Sequence, residues 1–160
     1  MNSTHPPQQA VHARVLTGAG WLEGQFHLAK LHAFSEYLAH HGWYPLTDVV
    51  MAKVGLLPFL ELSQRETLLV AVSPEAIPPP SPLERHDVSA TLLLPGGSVD
   101  GTLALATSLR LSDFVQHTTG FIHVKKANVK VWADNAALYF EDLLVNPQRL
   151  VGVTEPETSK

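Results

Sequence analysis

Histidine is the one titratable residue type present in excess, with nine copies in a chain of 160 residues. His27, His32, His40 and His41 lie close together in sequence. A metal site needs two or more ring nitrogens converging, usually with a carboxylate. His27, His32 and His40 are the candidate ligands. They fall on a strand, a loop and a helix end, and nothing in their spacing brings them together, so a surface or structural role is favoured. No metal and no cofactor is expected. His40 and His41 near a helix end suit the negative pole of its dipole.

Carboxylates are the next group that could do chemistry. Glu141 and Asp142 are adjacent, and neighbours on a strand point to opposite faces, so they do not form an acid–base pair there. Glu23 and Asp100 meet only if the two halves of the chain lie across a close two-fold axis. Ser, His and Asp are all present, but no G-x-S-x-G elbow, no phosphate loop and no G-x-G-x-x-G occurs. No catalytic residue is assigned, and the chain is not expected to be an enzyme.

Lys125, Lys126 and Lys130 form the only basic cluster, close to Trp132. A basic strip beside an aromatic ring can hold single-stranded RNA. A plain solvated edge, where lysine discourages sheet-to-sheet pairing, is the stronger reading. Trp21, Trp43 and Tyr44 are the candidate partner-binding residues, since large aromatic side chains anchor protein interfaces. For Trp21, packing against the other half of the chain is an equal alternative.

Composition narrows the classes. Hydrophobic residues make up 45%, enough for a packed core. The net charge of −4 weighs against a general nucleic-acid binder. There is no cysteine, which removes disulfides and thiolate zinc sites and suits a reducing cytoplasm. No apolar run reaches the length of a membrane span, and residues 1–10 lack the apolar core of a secretory signal. A cytoplasmic location is expected.

The elements that position these residues come twice. Residues 11–42 align with residues 88–119 at an offset of 77 without a gap, with nine identities including Gly20/Gly97, Gly24/Gly101, Ser35/Ser112 and His40/His117. A fixed-period match marks a duplicated structural unit. Each copy opens with a hairpin, Val11 to Leu28 and Val88 to Leu105, turning at Gly18-Ala19-Gly20 and Pro95-Gly96-Gly97. Gly24 and Gly101, inside the second strands, mark a bulge or a sharp bend. A short helix follows, Leu31 to His41 in the first copy, with Ser35 or Ser112 as candidate caps and Gly42 as a helix end that needs positive φ. Strands resume at Trp43 to Val50 and at Phe121 to Val129. The last pair reads as a hairpin, Phe59 to Leu62 with Thr67 to Ser73, matching Phe140 to Leu144 with Arg149 to Thr154 at an offset of 81.

Gly24-Gln25-Phe26-His27-Leu28, Phe34-Ser35-Glu36-Tyr37-Leu38 and Pro45-Leu46-Thr47-Asp48-Val49 carry a resemblance. The chain resembles a small bacterial β-rich domain family with the pattern G-x-hydrophobic-H-L-P, L-S-D-[FY]-L-N, P-[LV]-T-[DN]-A, here in two tandem copies. Ala29 stands where the family has proline. In the second copy Ala104 replaces the histidine, and Lys125-Lys126 replace Thr-Asp. The strand pattern is also loosely similar to Sm-like small barrels, which carry their helix before the first strand. The resemblance implies a fold and no catalytic residue.

The sequence therefore predicts a mainly β chain with a minor α component. It is built of two tandem small antiparallel β-barrel or half-barrel repeats, each β-β-α-β-β-β. The predicted organisation is a flexible tail at 1–10, repeat one at 11–76, a Pro-rich linker at 77–87, repeat two at 88–154 and a tail at 155–160. The function expected is that of a non-enzymatic interaction, scaffold or regulatory protein with a protein partner or a second copy of itself, and no membrane. The alternatives are an Sm-like RNA-binding protein and, third, a small metal-binding or enzymatic module.

Overall fold

The computed structural model describes residues 9–29, 34–77 and 85–155. The chain opens with two strands whose inward residues alternate, Gln9–Thr17 (β1) and Gly20–Leu28 (β2). Their turn is closed by Thr17, whose Oγ1 donates to the Gly20 carbonyl at 2.8 Å and accepts from the Ala19 N–H at 3.1 Å. Gly20 takes a φ of 108°, which an L side chain rarely adopts. A helix of about two turns, Phe34–His40 (α1), follows, then Trp43–Met51 (β3), Gly55–Ser63 (β4) and Thr67–Ala71 (β5). The second half runs through Arg85–Leu94 (β6), Gly97–Ala106 (β7), Leu111–His117 (α2), Ile122–Val131 (β8), Ala136–Val145 (β9) and Gly152–Thr154 (β10).

All ten strands join one antiparallel sheet in the order β10-β6-β7-β8-β9-β5-β1-β2-β3-β4. The mainly β class with a minor helical part is what the sequence predicts. Where barrel or half-barrel repeats are expected, the strands form one continuous sheet that does not close, with β10 at one edge and β4 at the other.

The expected hairpin of β4 with β5 is not formed. A short 3-10 turn at Gln64–Glu66 carries the chain away from β4, and β5 pairs with β1 on one side and β9 on the other. The reason is its sequence. All five residues, Thr67-Leu68-Leu69-Val70-Ala71, are buried, and a strand buried on both faces belongs in the middle of a sheet.

The two cores lie on opposite faces of that sheet. Val70 and Leu144 pack with Val15, Phe26, Phe34, Leu38, Tyr44 and Leu46. Their neighbours Leu69, Ala71, Leu143 and Val145 pack with Leu92, Val99, Leu103, Ile122 and Val124. Alternate residues of a strand point to opposite faces, so β5 and β9 serve one core on each side.

Gly24 and Gly101 each stand at a register shift, opposite an extra residue on the partner strand. Those residues, Asp48 in β3 and Lys126 in β8, take left-handed φ values of 52° and 51°. A bulge of this kind bends the strand and tightens the twist. Gly42 does not need a left-handed backbone, since the positive-φ glycines are Gly20, Gly55 and Gly96. Ser35 lies inside α1 rather than at its cap, and its hydroxyl is used elsewhere.

Gln9 and Ala10, expected in the tail, begin β1, and Arg85 to Asp87, expected in the linker, begin β6. The rest of those segments, residues 1–8 and 78–84, and residues 156–160 of the last tail lie outside the described residues. Among the described residues no helix is long and apolar enough to cross a membrane.

Candidate functional site

The three aromatic candidates have three different fates. Trp43 opens β3 with its side chain in solvent, 61% exposed. Tyr44, the next residue, points the other way and is fully buried, and its hydroxyl donates to the Leu38 carbonyl at the end of α1. Tyr44 is thus a core residue and not a surface anchor. Burial pushes its phenol far above the ordinary range, partly offset by a hydrogen bond with Gln64. Trp21 is used between the halves. Its ring lies 5.7 Å from that of Phe140, and the Arg14 guanidinium stands 5.1 Å over it.

Toward the other end of the β3–β4 ladder from Trp43 lie further exposed apolar residues that the sequence did not single out. Val50, Val54, Leu56 and Phe59, on β3, β4 and their turn, are all more than half exposed or close to it. They flank the free edge of β4. An open edge beside exposed apolar side chains is the usual mark of a surface that takes a partner. Pro58 interrupts the edge, and Glu61 is the only charged residue in β4. The sequence signal was present in Val54, Leu56 and Phe59, which break the alternation a half-buried strand should show.

The contact between the halves shows what such an edge can do. Phe121, just before β8, is buried in the core of the first half. Its N–H donates to the Ser35 carbonyl at 3.4 Å, and Ser35 Oγ donates to the Phe121 carbonyl at 2.7 Å. Beside it, Leu144 of β9 enters the same core while pairing with Val70. Asn146 completes the junction. Its side-chain amide donates to the Gln64 and Thr67 carbonyls at 3.2 and 2.9 Å, and its N–H donates to the Leu68 carbonyl at 2.9 Å.

At the other end of the sheet a hollow of about 870 Å3 opens between α2 and β10. Val88, Leu105, Leu111, Ser112, Val115 and Val153 line its floor, with His86, Arg110 and Glu155 among its polar groups.

The titratable candidates do not converge. His27 Nε2 shares a 2.8 Å hydrogen bond with Thr47 Oγ1, His40 is exposed at the end of α1, and His32 lies outside the described residues. His41 stacks on Tyr37 at 4.3 Å and donates to its carbonyl. Among the described residues no group of three His, Asp or Glu is placed to hold a metal ion. Glu141 and Asp142 diverge, the first accepting from Tyr139 and the second from His123 Nε2 at 2.7 Å. Glu23 faces His12 and Arg14, while Asp100 accepts from Thr91 and faces Lys130, so these two acids do not meet. Of the lysines, Lys125 lies 3.5 Å from Asp87 and Lys130 lies 3.7 Å from Asp100, which neutralises much of the basic strip. Lys126 is the bulge residue itself.

No family model, curated protein or solved structure gives a significant match to the chain.

Proposed function

We propose that this chain is a non-enzymatic interaction or scaffold protein, a duplicated pair of small half-barrel units fused through one sheet. The units read as β1-β2-α1-β3-β4-β5 and β6-β7-α2-β8-β9-β10. Several observations support the duplication. The strand orders β5-β1-β2-β3-β4 and β10-β6-β7-β8-β9 correspond, and the left-handed bulges at Asp48 and Lys126 face Gly24 and Gly101. The 3-10 turns at Gln64–Glu66 and Pro147–Arg149 follow β4 and β9 alike. The ladders match Leu62 with Val145, since Tyr44 pairs with Leu62 as Ile122 pairs with Val145. This sets the last strands at an offset of 83, not the 81 at which Phe59 and Phe140 align by identity.

The single observation that carries the functional reading is the open β4 edge with Trp43, Val50, Val54, Leu56 and Phe59 exposed along it. A protein partner adds to that edge by strand pairing and covers the apolar strip. The test is recovery of the tagged full chain from its own cells, with and without nuclease, beside the Leu56→Lys/Phe59→Lys variant. A stoichiometric, nuclease-resistant protein lost in the variant, with its melting temperature little changed, is the expected result. Nuclease-sensitive material, or capture indifferent to both substitutions, overturns the reading.

A further inference from the structure

We infer that the partner of the β4 edge is β10 of a second copy of this chain, so that copies assemble head to tail by repeating the junction already present inside each molecule. The inference rests on the interaction reading above and names its occupant.

The junction between the halves joins β9 of the second unit to β5 of the first, with Val145, Leu144 and Leu143 opposite Leu69, Val70 and Ala71. The two corresponding strands, β4 and β10, end the sheet, each with one edge unpaired among the described residues. Carried over by the duplicated register, the same ladder places Leu62, Glu61 and Leu60 of one copy opposite Gly152, Val153 and Thr154 of the next. Pro58 lies outside this stretch, so its missing N–H does not interrupt the pairing.

Knob and socket also correspond. Inside the molecule Phe121 is held against α1 by Ser35, and with Leu144 it fills the space beside β5. The residue corresponding to Phe121 is Trp43, the exposed tryptophan, and the residue corresponding to Ser35 is Ser112 of α2. The space corresponding to the filled one is the hollow between α2 and β10, which Ser112 and Val153 both line. Among the described residues, one end of the molecule thus presents an aromatic side chain with no socket, and the other presents a socket of the same construction with no side chain in it. Glu61 takes the place of Leu144, and at the hollow Arg110 carries the opposite charge, beside the like-charged Glu155. Such a contact is heterologous, so it propagates into a ring or a filament rather than closing as a symmetric dimer.

The chain has no cysteine, which makes the test direct. Full-length Glu61→Cys and Val153→Cys variants are mixed, oxidised and run without reductant. The expected product is the mixed 61–153 cross-link, well above either 61–61 or 153–153. Sedimentation of the native chain is expected to give masses above the 17.5 kDa monomer that rise with concentration. Trp43→Glu, an exposed substitution, is expected to weaken association by about thirtyfold or more, the scale of a buried aromatic anchor. Cross-links confined to 61–61 and 153–153 overturn the head-to-tail arrangement. A monomer at every concentration, with no mixed cross-link, overturns self-assembly altogether. If a different protein is still captured through Leu56 and Phe59 in that case, the interaction reading survives and this one fails.

Discussion

Ser35 and Phe121, 86 residues apart in sequence, hold each other by a hydrogen bond in each direction. Through this pair the core of the first half is completed by a residue of the second. Phe121→Ala is therefore expected to destabilise the whole chain, by about 3–5 kcal/mol for a buried phenylalanine. Urea unfolding followed by tryptophan fluorescence and by circular dichroism should shift together as one transition. Two separated transitions, with only the first moved, would show that the halves fold independently.

Gly101 and Gly24 stand at matching bulges but differ in clearance. A Cβ on Gly101 would lie 2.4 Å from Val124 Cγ1 and 3.0 Å from the Lys125 carbonyl. On Gly24 the nearest atoms are the tips of Val49 and Leu46, at 3.0 and 3.1 Å. Side-chain tips yield more easily than backbone. Gly101→Ala should lower the unfolding midpoint markedly, and Gly24→Ala should lower it less. The reverse order in a thermal melt would contradict this account of the bulges.

The residues across from those glycines carry the left-handed backbone. Such a conformation costs an L residue roughly 1–2 kcal/mol, less for aspartate, and glycine returns part of that gain as unfolded-state entropy. Lys126→Gly is expected to stabilise by about 0.5–1 kcal/mol, and Asp48→Gly by less. Chemical denaturation of the two variants checks both the sign and the order.

Burial holds the Tyr44 phenol protonated in the folded chain far above its ordinary pKa. Above about pH 10 the unfolded chain loses that proton while the folded chain keeps it. Stability should therefore be independent of this group below that pH and fall as pH rises beyond it. Tyr44→Phe leaves the Leu38 carbonyl still bonded to Gln64 Nε2 at 2.7 Å, so the loss at neutral pH should be about 1 kcal/mol. The alkaline decline should become shallower in the variant. An unchanged slope in stability against pH would remove Tyr44 as its source.

The local elements were legible because their signals are local. Gly20 and Gly96 mark the hairpin turns, and the repeated Gly24 and Gly101 mark the bends. What could not be read was the pairing of β5, because the four residues after Leu62 look like a hairpin turn whichever way the chain then goes. The apolar run Leu68 to Ala71 did carry a clue, since a hairpin at a sheet edge has no use for two buried faces. Trp43 and Tyr44 show a second limit. Both are aromatic and adjacent, and only the register decides which one enters the core. The hollow beside α2 is visible only in three dimensions, because it is bounded by strands and a helix distant in sequence.

Because Leu69 and Val70 belong to different cores, β5 cannot slide by one residue without exchanging the contents of both. The strand works as a key cut on two sides. Its five residues set the alignment of everything to either side of them, and an insertion tolerated at the β3–β4 turn would be ruinous here. The amide protons of Leu69 and Val70 should accordingly be among the last in the chain to exchange with solvent, released only when the entire sheet comes apart.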